Sequence, residues 1–122
     1  MTEHPSVFPS VRYADAHRAI DFLADAFGAE RHAVHTDGEN RVRHAELRFG
    51  NGMVMLGEGD TASGGGVYVV IDDVDAHCER ARAAGAEITR GPQDTEYGSR
   101  EYSALDREGL DWHFGTYQPF AV

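Results

Sequence analysis

Apolar and polar residues alternate in several short stretches of this chain, and two other stretches follow the helical period. Residues 7–13 predict a first strand with Pro9 inside it. Proline lacks an amide donor, so this strand belongs at an edge or starts irregularly. Ala16, Ala19, Ile20, Leu23 and Phe27 then recur at helical spacing. Asp15 is suited to cap that helix and Gly28 to end it. Residues 31–35 predict a second strand, and Asp37-Gly38 a hairpin turn. From Val42 to Phe49 the pattern alternates strictly. Ala45, Leu47 and Phe49 share one face, and His44, Glu46 and Arg48 share the other. Asn51-Gly52 turns the chain into a strand over residues 53–56.

The pattern then repeats. A shift of 57 positions lays Asp15 on Asp72 and Gly28-Ala29-Glu30 on Gly85-Ala86-Glu87. The same shift lays Phe49-Gly50-Asn51-Gly52 on Asp106-Arg107-Glu108-Gly109. Residues 58–65, with Ser63-Gly64-Gly65-Gly66, predict a flexible joint. A strand over residues 67–71 follows the glycines, whereas a phosphate-binding loop needs a helix there. Asp72 or Asp73 caps a second helix with Val74, Cys78 and Ala81 on its apolar side, and Gly85 ends it. Residues 87–89, 99–105 and 110–114 predict three more strands, separated by turns at Gly91-Pro92 and residues 106–109. The last strand opposes Trp112 and Phe114 to Asp111 and His113.

The predicted class is α+β. Two tandem βαβββ modules, about 6–58 and about 66–118, make one domain over residues 1–122. They form a curved, mostly antiparallel sheet with the helices on its convex face, leaving the concave face for a ligand. A module of this size buries too little core alone, so the halves must pack together, and a site is expected at their seam.

Composition narrows the partners. The formal net charge of −10 disfavours nucleic acid and anionic membrane surfaces, suits solubility, and is compatible with a cationic ligand. No apolar run reaches membrane-spanning length. Met1-Thr2-Glu3-His4-Pro5 lacks the basic and apolar regions of a signal peptide. The single cysteine, Cys78, excludes an internal disulfide framework and fits a reducing compartment, so a cytoplasmic location is expected.

The module order resembles the vicinal oxygen chelate superfamily, which includes glyoxalase I, extradiol dioxygenases, fosfomycin-resistance enzymes and bleomycin-resistance proteins. The residues that carry the resemblance are Arg12-Tyr13-Ala14-Asp15, Ala19-Ile20-Asp21-Phe22-Leu23 and Phe27-Gly28-Ala29-Glu30 in the first half. In the second half they are Val69-Val70-Ile71-Asp72-Asp73-Val74-Asp75-Ala76, Ala84-Gly85-Ala86-Glu87 and the stretch from Asp106 to Tyr117. Arg107 stands where proline is usual in that family. The glyoxalase-like and PhnB-like members are nearest in pattern. The resemblance implies the fold over nearly the whole chain and leaves the reaction open.

The metal enzymes of that superfamily take ligands from the first and last strands of each module. The corresponding positions here fall at Phe8, at Met55 or Leu56, at Gly66 and at His113. Only His113 offers the usual kind of donor, too few for a site that needs three or more. The resemblance therefore implies the fold without the usual metal chemistry, and no cofactor is expected.

His113 is the first candidate for chemistry, as an acid or base near neutral pH or as a hydrogen-bonded pocket histidine. His44 and Glu46 share a strand face, so they line a polar cleft or, with His113, build a rearranged divalent-metal site. Tyr68 is the best aromatic ligand contact, and Phe8 faces the same concavity. Tyr102 and Trp112 read as core. His32 and His35, three apart on a strand, face opposite ways. His17 and His77 face solvent from their helices. Cys78 is a buried structural thiol.

The leading expectation is a cytoplasmic homodimer binding a small organic molecule in the concave cleft without metal, for sequestration or resistance. Phe8, His44, Glu46, Tyr68 and His113 line that cleft. The alternative is a metal-dependent lyase, isomerase or dioxygenase using His44, Glu46 and His113. A third reading is a subunit that pairs with another protein.

Overall fold

A computed structural model describes residues 4–120; Met1 to Glu3, which enter the reading of the N-terminus as leaderless, lie outside them. The elements run β1 (Ser10–Tyr13), α1 (Ala16–Phe27), β2 (Glu30–Thr36), β3 (Val42–Phe49) and β4 (Gly52–Glu58). The second module follows with β5 (Val67–Val70), α2 (Val74–Ala83), β6 (Glu87–Asp94), β7 (Arg100–Leu105) and β8 (Asp111–Gly115). Both halves have the expected βαβββ order. The strands form two four-stranded sheets, β1-β4-β3-β2 and β5-β8-β7-β6, each with one parallel and two antiparallel pairings.

Local chemistry sets the helix ends. The Asp15 carboxylate accepts from the Arg18 amide at 3.2 Å, and Asp73 accepts from the Ala76 amide at 3.1 Å. Gly28 adopts the left-handed conformation, φ +77°, that closes α1. Alternation holds in both central strands. Ala45 and Leu47 lie under α1, while Trp112, Phe114, Tyr102 and Ala104 line the core of the second module.

Three local readings change. The first strand is four residues long, because Pro9 and the segment before it do not pair as a ladder. Pro9 still contributes, as its carbonyl accepts from the Met55 amide at 2.9 Å. Gly91-Pro92 is no turn; it lies inside β6, at a register shift between Arg90 and Gln93. A strand that must keep pairing past a proline does so by bulging. The segment at 37–41 is a loop rather than a two-residue turn. The Asp37 carboxylate accepts from the Glu39 and Arg41 amides, and Asn40 takes φ +63°.

The seam between modules is filled. Phe27 packs on Trp112 and Phe114, and Phe49 stacks on Trp112. Beneath them, buried Asp106 accepts from the Tyr13 hydroxyl (2.6 Å), Trp112 Nε1 (3.0 Å) and the Glu108 and Leu110 amides. Burial and this carboxylate together push the Tyr13 phenol up. Glu108 clasps the start of α1, accepting from the Ala14 and Asp15 amides. His77 also belongs to the seam and not to the solvent face expected for it. Its Nε2–H donates to the Phe27 carbonyl across the modules at 3.2 Å, and its Nδ1 lies 2.5 Å from the Tyr102 hydroxyl. Helical position alone pointed outward, but the first module covers that side of α2.

Candidate functional site

Each sheet turns one face to the helices and leaves the other open. On the first sheet the open face carries His44 and Glu46, with His44 Nε2 and Glu46 Oε2 2.8 Å apart. This hydrogen bond, helped by the surrounding imidazoles, holds the Glu46 carboxyl below its usual range. His32 and His35 do not face opposite ways as their spacing predicts. A bulge between Arg31 and Ala33 shifts the register. His32 therefore approaches both Glu46 (3.9 Å) and Arg48 (3.2 Å), while His35 stacks on His44 with ring centroids 6.1 Å apart. Phe8 lines a separate recess of about 360 Å³ with Arg48 and Met53, at the far end of the same sheet.

The open face of the second sheet holds a cavity of about 600 Å³. Tyr68 and His113 both line it and are direct register partners between β5 and β8. His113 is paired in turn with Ser103 on β7, and Ser103 with Arg90 on β6. A row of four side chains thus crosses all four strands, Tyr68–His113–Ser103–Arg90. His113 Nδ1 lies 2.8 Å from Ser103 Oγ, and His113 Nε2 lies 2.8 Å from Asp111 Oδ2. The carboxylate can only accept, so Nε2 carries the proton and neutral Nδ1 is free to accept from the serine hydroxyl. Asp111 is itself anchored, its other oxygen accepting from the Gly66 amide at 3.0 Å. His113, with help from that amide, lowers the Asp111 carboxyl from its ordinary range.

Two residues along β7 from Ser103, Glu101 accepts from Arg90 (3.1 Å) and from the Tyr97 hydroxyl (2.9 Å). These donors hold its carboxyl low against the opposing effect of burial. Tyr97 meets Tyr117 edge to face at 5.6 Å, and the Tyr68 hydroxyl donates to the Tyr117 carbonyl at 2.8 Å. Gly115 makes room for this corner, since a Cβ there would stand 2.6 Å from Glu101 and 2.8 Å from the Tyr68 hydroxyl. Tyr68, Tyr97 and Tyr117 therefore border a recess holding a carboxylate, a guanidinium, an imidazole and a hydroxyl.

The structure brings Tyr68 and His113 together, and His44 and Glu46 together, but on separate sheets. Phe8 stands apart from both pairs. The metal set of His44, Glu46 and His113 is not assembled within the chain, and among the described residues no three His, Cys, Asp or Glu side chains form a metal-holding group. At the positions where the family's metal ligands would fall, Phe8, Met55 and Gly66 supply no imidazole or carboxylate. These residues do not fit a divalent ion of that kind. Sequence reasoning missed Ser103, Asp111, Arg90, Glu101 and Tyr117. Alternation already put Asp111 beside His113, and the buried Tyr102 puts Glu101 and Ser103 on the opposite, open face. Arg90 is hidden by the β6 bulge.

Comparison with known proteins agrees with this architecture. Residues 6–114 match the profile of the Glyoxalase/Bleomycin resistance protein/Dioxygenase superfamily. The chain belongs to that superfamily. A solved structure of TioX from Micromonospora sp. ML1 superposes with a TM-score of 0.80 at 33% identity, covering 96% of this chain and 100% of that one. The fosfomycin resistance protein FosX from Mesorhizobium loti shares the fold at 20% identity, TM-score 0.68, over 98% and 96% of the two chains. Uncharacterized protein Mb0911c of Mycobacterium bovis is 29% identical over 125 residues, 91% of this chain and 82% of its own. The superfamily's members bind small molecules on this fold, and in this chain no helix of the described residues is long and apolar enough to cross a membrane.

Proposed function

We propose that this member of the superfamily binds a small organic molecule on the open face of its second module, as a homodimer and without a resident metal. The observation that carries this reading is the recess of about 600 Å³ bordered by Tyr68, Tyr97 and Tyr117 and floored by Glu101 and His113. Aromatic walls with a few convergent polar groups are what small-molecule sites are made of. Tyrosine faces beside an ionised carboxylate favour a ligand with an apolar ring and a cationic group.

The two open faces support the dimer reading. His44 and Glu46 on one sheet, Tyr68 and His113 on the other, each make half of a cleft. A second copy related by a two-fold axis supplies the missing half to both. The metal-free reading rests on the donor set, which lacks three convergent ligands. A role in sequestration or resistance fits a binding protein of this kind.

The test is a thermal-shift and calorimetric panel of small aromatic amines, aromatic carboxylates and aliphatic quaternary ammonium ions. Aromatic cations are expected to bind, and Tyr68→Ala to weaken them at least about tenfold through loss of ring contact. Binding that is indifferent to Tyr68→Ala rejects this site. Elemental mass spectrometry on protein purified without chelator or affinity metal is expected to find no stoichiometric metal. One ion per chain that is lost in His113→Ala supports instead a metal-dependent lyase, isomerase or dioxygenase.

A further inference from the structure

We infer that Ser103 is a nucleophile and that Ser103, His113 and Asp111 form an acyl-transfer site for small ester substrates. The inference rests on the reading that this recess admits a small organic molecule, and it adds a reaction to that reading.

Three side chains from two adjacent strands stand in the order hydroxyl, imidazole, carboxylate, with both links at 2.8 Å. That is the arrangement in which a serine becomes reactive, because the base takes its proton and the carboxylate fixes the base's tautomer. Here the hydroxyl faces Nδ1 and the carboxylate faces Nε2, so the imidazole is turned end for end while the roles are kept. Asp111 does not touch the cavity and is a positioning residue. Its second oxygen is tied to the Gly66 amide, which fixes its direction, and the same bonds keep it ionised. Gly65 permits this approach, since a Cβ at that position would lie 2.5 Å from Asp111 Oδ1.

The rest of the row supplies what an acyl transfer needs. Arg90 is the register partner of Ser103 and lines the same cavity. A guanidinium carries five donors, and the bond to Glu101 occupies one nitrogen, which leaves others for a carbonyl oxygen that gains charge. Tyr68, the register partner of His113 on the other side, forms a wall for the acyl or alcohol portion. Ser103 is itself 8% exposed and His113 half-buried, so the hydroxyl opens only into the recess.

The step balances with water as co-reactant. Ser103 Oγ bonds to the ester carbonyl carbon as its proton passes to His113 Nδ1. The bond from that carbon to the alkoxy oxygen breaks, and the alcohol leaves with the proton from His113. Water then gives its proton to Nδ1 and attacks the acyl carbon. The acid is released, and Ser103 Oγ regains the proton.

The experiment treats the full chain with p-nitrophenyl acetate and, separately, with a fluorophosphonate, in which the serine oxygen displaces fluoride. Peptide mass spectrometry locates the adducts. The expected result is one adduct on Ser103, with p-nitrophenol release that falls at least about a hundredfold in Ser103→Ala and in His113→Gln. Ser103→Cys, which keeps a nucleophile beside His113, is expected to remain acylated at residue 103. Asp111→Asn is expected to displace the pH–rate profile of acylation, which a merely structural loss would not do. An unlabelled Ser103, or release unchanged in Ser103→Ala, overturns the proposal. If Ser103→Ala and the unaltered protein bind the aromatic amine panel equally and neither is acylated, the nucleophile falls and the binding site stands. If Ser103 is acylated while no panel member binds, the nucleophile stands and the ligand class falls.

Discussion

His77 joins the two modules through a ring whose protonation matters. It lies against Phe27 and Phe114, with centroids 6.5 and 4.5 Å away, and it uses both nitrogens in hydrogen bonds that suit the neutral tautomer. Burial, aided by Arg80, lowers its pKa from the ordinary 6.5, against the pull of the Phe27 carbonyl. An unfolded chain therefore takes up this proton at a higher pH than the folded one does. Between the two values the unfolded state holds more protons, so stability rises with pH across that window. The contribution is complete above 6.5 and is lost as the pH falls through the folded value. Thermal melts taken from about pH 7.5 down to about pH 5 are expected to show a falling midpoint, and His77→Gln is expected to flatten that slope. A slope that survives in His77→Gln places the effect elsewhere.

At the scale of elements, the glycine run between modules acts as a clasp. Gly65 takes φ +122° and passes close to Asp111, and the next amide holds the carboxylate. Gly65→Ala is strained by its backbone angle and by its Cβ together, with an expected cost of about 1–3 kcal/mol. It is also expected to push Asp111 away from His113, moving the His113 ring signals in imidazole-detected NMR. Gly91→Ala, where a Cβ meets open space, is the control and should leave those signals in place. The run reads as a flexible joint in sequence because glycine permits mobility and close approach equally well. Which one applies depends on Asp111, 46 positions from Gly65 and brought there by pairing of β5 with β8. The βαβββ order was legible because period, caps and the internal repeat agree. The positions of His32, His35 and Arg90 were not, because a bulge changes which face a residue takes and leaves the local alternation looking intact. His113 was legible as a candidate, but its partner Ser103 is a cross-strand neighbour, a relation set by register rather than by spacing.

For the whole molecule, the decisive feature is that chemistry sits on two open faces of one chain. The seam between modules is closed by Trp112, Phe27 and Phe49 and by the Asp106 hydrogen bonds, so the two faces cannot fold onto each other without breaking that core. If a cleft combines the first module of one copy with the second module of its partner, lesions in the two modules must complement. Glu46→Ala homodimers carry a damaged wall in every cleft, and so do Tyr68→Ala homodimers. In a mixed dimer, one cleft takes both lesions and the other takes neither. Random reassociation makes about half of the dimers mixed, so about a quarter of all clefts are intact. Titration calorimetry with an aromatic amine that binds the unaltered protein is therefore expected to recover about a quarter of the tight sites after co-refolding the two variants. A cleft built within one chain gives no recovery, since every copy then keeps its own lesion. Sedimentation of the same mixture shows whether dimers formed, so a missing signal is assigned to geometry only where the protein is dimeric, and a monomeric protein refutes the shared cleft directly.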